Sequence, residues 1–150
     1  ELFSLEMEYI EREFASNPIP WQPGAQELVL EVVDKGIKIA LVTASSKHLV
    51  NLVNAQINLD IFDTVVCGDD VISPKPSPDA YLLAMAKLGL NSKNSMAIED
   101  SNSGVRSALA ADLHVLCPPS HQIIVSDDKL KLIETLVGIG VNDLEFWNWK

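Results

Sequence analysis

The chain has 150 residues, is 47% hydrophobic, and sets 11 Lys and Arg against 21 Asp and Glu for a net charge of −10. This is enough apolar material for one globular core and argues against disorder, while the acidity, with no Lys/Arg cluster to offset it, argues against nucleic acid as a partner. Cys67 and Cys117 end apolar runs and form no CxxC pair, which points to a reducing cytoplasm; no run approaches the roughly 18 apolar residues of a membrane span, and the acidic N-terminus lacks a signal peptide's basic start.

From Leu2 to Phe14 the apolar residues Phe3, Met7, Ile10 and Phe14 fall at helical spacing, with Leu2, Leu5 and Tyr9 beside them. The remainder of this segment is rich in Glu, so it predicts an amphipathic helix. Residues 17–24 hold Pro18, Pro20 and Pro23, too many prolines for regular structure, and read as a hinge. Ala25, Leu28, Val29, Val32 and Val33 predict a helix that ends at Gly36, a residue suited to the left-handed position past a helix end.

Ile37 to Val42 then reads as a buried strand running into Thr43-Ala44-Ser45-Ser46, with helical spacing resuming at Leu49, Val50, Leu52 and Val53. Thr64 to Cys67 is a second strand. Pro78 to Leu88 is a helix with Ser77 as its cap, Pro78 at its first position and Gly89 beyond its end. Ser95 to Ile98 is a third strand, followed by a helical pattern in Val105, Ala108 and Leu109, and Leu113 to Leu116 is a fourth. Asp127 and Asp128 are placed to cap a last helix carrying Leu130, Ile133, Leu136 and Val137. This alternation predicts an α/β fold with a doubly wound parallel sheet.

Open parallel sheets bind ligands outside the carboxyl ends of their strands. After the first of these strands stands Thr43, a hydroxyl with successive N–H groups behind it that suit a phosphate, although a Ser or Thr here also serves as a helix cap. After the second stands Lys75, fenced by Pro74, Pro76 and Pro78 in a loop stiff enough to aim an ammonium. After the third stand Glu99 and Asp100, two acids able to hold a hard cation, although Asp100 or Ser101 can equally cap the helix that follows. Hydroxyl, cation and acid pair together suit a transferring phosphoryl group, whose equatorial oxygens need a metal, a cation and hydrogen-bond donors. His48, His114 and His121 show no ligand spacing, and the aromatic tail of Phe146, Trp147 and Trp149 suits docking on the core or a partner surface.

Three stretches, Ile39-Ala40-Leu41-Val42-Thr43-Ala44-Ser45, Lys75-Pro76-Ser77-Pro78-Asp79-Ala80-Tyr81 and Ile98-Glu99-Asp100-Ser101-Asn102-Ser103-Gly104-Val105, resemble the second, third and fourth motifs of the haloacid dehalogenase (HAD) superfamily. The likeness covers Trp21 to Pro119 and is strongest to the branch holding phosphoglycolate phosphatase-like and β-phosphoglucomutase-like enzymes. It implies a Rossmann-like HAD core over 24–150, a hinge over 17–23, and a helical-cap remnant over 1–16. It further implies that Thr43, Ala44, Ser45 and Lys75 bind the phosphoryl group and that Glu99 and Asp100 hold Mg²⁺. Thr43, Lys75 and Asp100 would then be the catalytic set, acting on a small phosphorylated metabolite. Pro74 and Asp112 stand where the family commonly has glycine.

The family's first motif, Asp-x-Asp after the first strand, supplies its nucleophile and general acid/base. It is absent here. Asp60-Ile61-Phe62-Asp63-Thr64 spaces its acids three apart and precedes a strand. The resemblance therefore implies a central strand missing from these 150 residues, two unpaired inner edges, and a gap filled by an N-terminal segment or a swapped second copy. Expected functions are an Mg²⁺-dependent phosphatase, inactive as this chain alone, or alternatively a phosphomutase or a non-catalytic binding module.

Overall fold

The computed structural model describes residues 12–13, 16–119 and 125–146. Most of the helix expected over Leu2 to Phe14, His121 and the tryptophans of the aromatic tail lie outside the described residues. The elements are α1 (Ala25–Asp34), β1 (Ala40–Val42), α2 (Lys47–Ile57), β2 (Thr64–Val66), α3 (Asp79–Leu88), β3 (Met96–Ile98), α4 (Asn102–Ala110), β4 (His114–Cys117), β5 (Leu130–Leu132) and α5 (Val141–Phe146). Gly36 follows α1 at φ 67° and Gly89 follows α3 at φ 68°, left-handed positions that glycine takes at little cost. Ser46 caps α2 by accepting from the Leu49 N–H, and Ser101 caps α4 by accepting from the Gly104 N–H.

All strand pairs are parallel and fall into two sheets, β1–β2 and β3–β4–β5. Helices cover both faces of the larger sheet. Val115 and Cys117 meet Tyr81, Met85, Val105 and Ala108 from α3 and α4. Leu116, on the opposite face of the pleat, meets Leu28 of α1 and Leu136. Burial on both faces is the condition under which short parallel strands persist. Helix α3 serves both sheets, because Ala80 and Ala84 pack on Val66 of β2 while Tyr81 and Met85 pack on Ala97 and Val115. The i, i+4 spacing of each pair gives the helix two apolar stripes. Among the described residues no ladder joins β1 to β3.

The last expected helix is a correction. Leu130–Leu132 is a strand paired with β4, and the helix comes later, at Val141–Phe146. Asp127 makes a tight turn instead of a cap, its carboxylate accepting from the Lys129 N–H at 2.8 Å and its carbonyl from the Leu130 N–H at 3.1 Å. That turn delivers the chain to the open edge of β4, where Lys129 and Ile133 complete the ladder. Ile133 and Leu136 still reach the Leu116 cluster, so their spacing reflects burial without a helix.

Boundaries shift for local reasons. The first strand starts at Ala40 because the Asp63 carboxylate takes the Ile39 N–H at 2.8 Å. Ser77 does not cap α3; its hydroxyl donates to the Asp79 carboxylate at 2.8 Å, and Pro78 precedes the helix in αR conformation.

Candidate active site

The tips of β1 and β3 and the loop before α3 converge. Thr43 prolongs the β1 ladder through its N–H to the Val66 carbonyl at 2.9 Å, and its Oγ1 accepts from the Ser45 N–H at 3.1 Å. The turn is braced from behind, since the Gly68 N–H donates to the Ser45 carbonyl and a Cβ on Gly68 would run into the Ala44 carbonyl. Because Oγ1 already accepts, its own proton is the part left to donate outward.

Lys75 lies in the proline-rich loop, with the Lys75–Pro76 bond cis. Its side chain is only 7% exposed, and Nζ donates to the Val42 carbonyl at 3.1 Å and to Glu99 Oε1. One ammonium thus ties the end of β1 to the end of β3. The loop after it is held by Ser107, fully buried in α4, whose hydroxyl donates to the Ser77 carbonyl at 2.5 Å.

Glu99 and Asp100 have opposite surroundings. Pleated strands send successive side chains to opposite faces, and the run from Ala97 to Asp100 alternates buried, exposed, buried, exposed. Glu99 points inward: Oε1 accepts from Lys75 and from the Tyr81 hydroxyl at 2.5 Å, and Oε2 accepts from Ser101 Oγ at 3.2 Å. Burial first, and then the Glu99 charge, push the Tyr81 phenol far above its ordinary pKa, so it remains a donor. Asp100 points outward, with Gln22 Nε2 3.4 Å from its Oδ2.

Carboxylate oxygens suit Mg²⁺, and Asp100 offers them to solvent. Glu99 Oε1 already takes two donors, whereas its Oε2 takes the Ser101 hydroxyl alone. Among the described residues no group of three or more His, Cys, Asp or Glu is arranged to hold a metal ion. Asp100 therefore fits as a single carboxylate ligand of such an ion.

On the rim, Lys47 Nζ lies 2.6 Å from Asp70 Oδ1, and Asp70 also accepts from the Cys67 N–H at 2.8 Å. The Cys67 N–H first, and Lys47 second, hold the Asp70 carboxyl below the usual range.

Thr43, Lys75 and Glu99 are thus brought to one place, with Asp100 on its outer face. Sequence reasoning missed Tyr81, Ser107 and the role of Gly104, where a Cβ would overlap the Glu99 carboxylate. The signal for Tyr81 was available, since a tyrosine on a buried helical stripe needs a partner for its hydroxyl.

Fold and site together define a Rossmann-like α/β protein with a lysine and acids gathered at its strand ends. The chain belongs to the haloacid dehalogenase-like hydrolase family, whose sequence profile matches residues 4–117. It is 37% identical over 110 residues to Protein CbbY of Rhodobacter capsulatus, covering 71% of this chain and 48% of that one. To hexitol phosphatase B of Escherichia coli K12 it is 29% identical over 124 residues, covering 78% of this chain and 56% of that one. The chain thus spans about half the length of these relatives. A crystal structure of a CbbY mutant from Rhodobacter sphaeroides, in complex with xylulose-(1,5)bisphosphate, superposes with a TM-score of 0.79 at 28% identity, covering 89% of this chain and 63% of that one. The family generally uses Mg²⁺. Among the described residues no helix is long and apolar enough to cross a membrane.

Proposed function

We propose that these residues form the greater part of the core of an Mg²⁺-dependent phosphatase acting on a small phosphorylated metabolite. The observation that carries this reading is the buried Lys75 ammonium, bonded at once to the Val42 carbonyl and to Glu99, next to Thr43. Two of its three N–H donors have described partners; the third would serve a phosphoryl oxygen. The Thr43 hydroxyl and the N–H groups of Ala44 and Ser45 would bind the remaining oxygens, Ser45 exchanging its present bond to Thr43 Oγ1. Asp100 would hold Mg²⁺ with Glu99 beside it, and the bound cation would shield the negative charge that opposes attack on phosphorus. The hexitol phosphatase relative supports the reaction class, and the bisphosphate in the CbbY complex supports a sugar phosphate as substrate.

The aspartate nucleophile in this reading comes from a segment of the same protein outside residues 1–150, on a strand entering between β1 and β3. Residues 17–23 act as the hinge to a cap to which 1–16 belong. Support for the added strand comes from the absence of a β1–β3 ladder among the described residues and from Ile98, 41% exposed although it ends the strand that β4 pairs. Two free buried cysteines support a reducing, cytoplasmic setting.

The test is hydrolysis of a generic aryl phosphate in Mg²⁺ by the full-length protein. Lys75→Ala and Asp100→Ala are expected to lower kcat by about a hundredfold or more, and Thr43→Ala by about tenfold. Residues 1–150 alone are expected to be inactive. Turnover by those residues alone, lost in Asp100→Ala, would overturn the assignment of the nucleophile.

A further inference from the structure

A lysine and a glutamate buried together need further hydrogen bonds to offset their lost hydration. Glu99 Oε1 receives two donors, the Lys75 ammonium and the Tyr81 hydroxyl at 2.5 Å, and Lys75 Nζ lies 4.9 Å from the centroid of the Tyr81 ring. That distance is within the range of a cation–π contact. Tyr81 therefore touches both members of the pair with different parts of one side chain. Its ring also fills the α3 face of the core beside Met85, Ala97 and Val105, a task that phenylalanine performs equally well. Packing gives no reason for the hydroxyl, which is costly to bury unless it is bonded.

We infer that Tyr81 is a positioning residue of the site: its hydroxyl fixes the Glu99 carboxylate, its ring supports the Lys75 ammonium, and together they keep Lys75 aimed at the ends of β1 and β3. Loss of the hydroxyl lets Glu99 turn about its last bond. Lys75 then follows its partner, and the donor meant for a ligand loses its direction.

The kinetic part of the test rests on the phosphatase reading; a chemical part does not. In the full-length protein, Tyr81→Phe is expected to melt within a few degrees of the parent, to keep KM, and to lose about tenfold in kcat. Tyr81→Leu, lacking the ring as well, is expected to lose more. In a Glu99→Gln background Tyr81→Phe should add little, because the hydroxyl acts through Glu99. Parental kcat in Tyr81→Phe, or effects of Tyr81→Phe and Glu99→Gln that simply multiply, would overturn the inference while leaving the phosphatase reading intact. Acetylation of Lys75 by acetic anhydride, followed by mass spectrometry with exposed Lys47 as internal reference, reads the same device without turnover. Tyr81→Phe should acetylate Lys75 several-fold faster than the parent. If the parent hydrolyses no phosphate ester, this rate decides alone: acceleration supports the positioning role, and an unchanged rate overturns it.

Discussion

Gly104 takes part in the site by having no side chain. The Glu99 carboxylate occupies the space in which a Cβ would stand, and the Gly104 N–H donates to Ser101 Oγ, which in turn donates to Glu99 Oε2. Gly104→Ala has ordinary helical backbone to adopt, so the effect is one of room. Overpacking of this kind costs about 1–3 kcal/mol, and the yielding atom is a carboxylate bonded to Lys75. The expected outcome is a lower urea midpoint together with loss of Lys75 protection from acetylation; a midpoint at or above the parent's would show that Glu99 has space to retreat. The acid pair is legible in the sequence as a pair, and strand alternation divides it into one buried and one exposed acid. Their hydrogen-bond partners are not legible, because Tyr81 and Lys75 are 18 and 24 residues away from Glu99.

At the scale of elements, α1, α2, α3 and α4 are readable because their apolar spacing agrees with a signal at one end, a glycine after α1 and α3 and a serine cap before α2 and α4. The region after β4 is not, because strand pairing is a non-local choice. Leu130, Ile133 and Leu136 satisfy a helical spacing on paper, yet the edge of β4 offers Leu130 a ladder that no isolated segment has. The turn at Gly68–Asp70 shows how a side chain fixes such a junction. Asp70 accepts from the Cys67 N–H and pairs with Lys47 at the start of α2, joining the end of β2 to the helix after β1. Its carboxyl is held below the ordinary range, so its stabilising contribution is complete above an unfolded value near 3.9 and is lost as pH falls through the lower folded value. Asp70→Asn should therefore lie below the parent in urea midpoint at pH 7, with the gap closing from about pH 4 downward. A gap independent of pH would mean that the Asp70 charge contributes nothing to this junction.

For the whole molecule, the feature that governs behaviour is the division into two sheets. Val42 packs against the same cluster as Ala97, and Lys75 bonds to both strand tips. The sheets are therefore joined by α3, by the packing of Val42 and by the Lys75 side chain, without a backbone ladder among the described residues. Among the described residues each inner edge leaves backbone N–H and C=O groups without a strand partner, and such edges template pairing with another chain. The net charge of −10 opposes close association at low ionic strength, and salt screens that repulsion. Residues 1–150 alone are accordingly expected to self-associate, more so as salt rises, and to return toward monomer when a peptide carrying an apolar parallel strand is supplied in excess. Size-exclusion chromatography with light scattering measures both effects. A cooperative, well-folded monomer at high salt with no added peptide would mean that β1 and β3 tolerate open edges, and the proposed entry of a further strand between them would lose its physical motive.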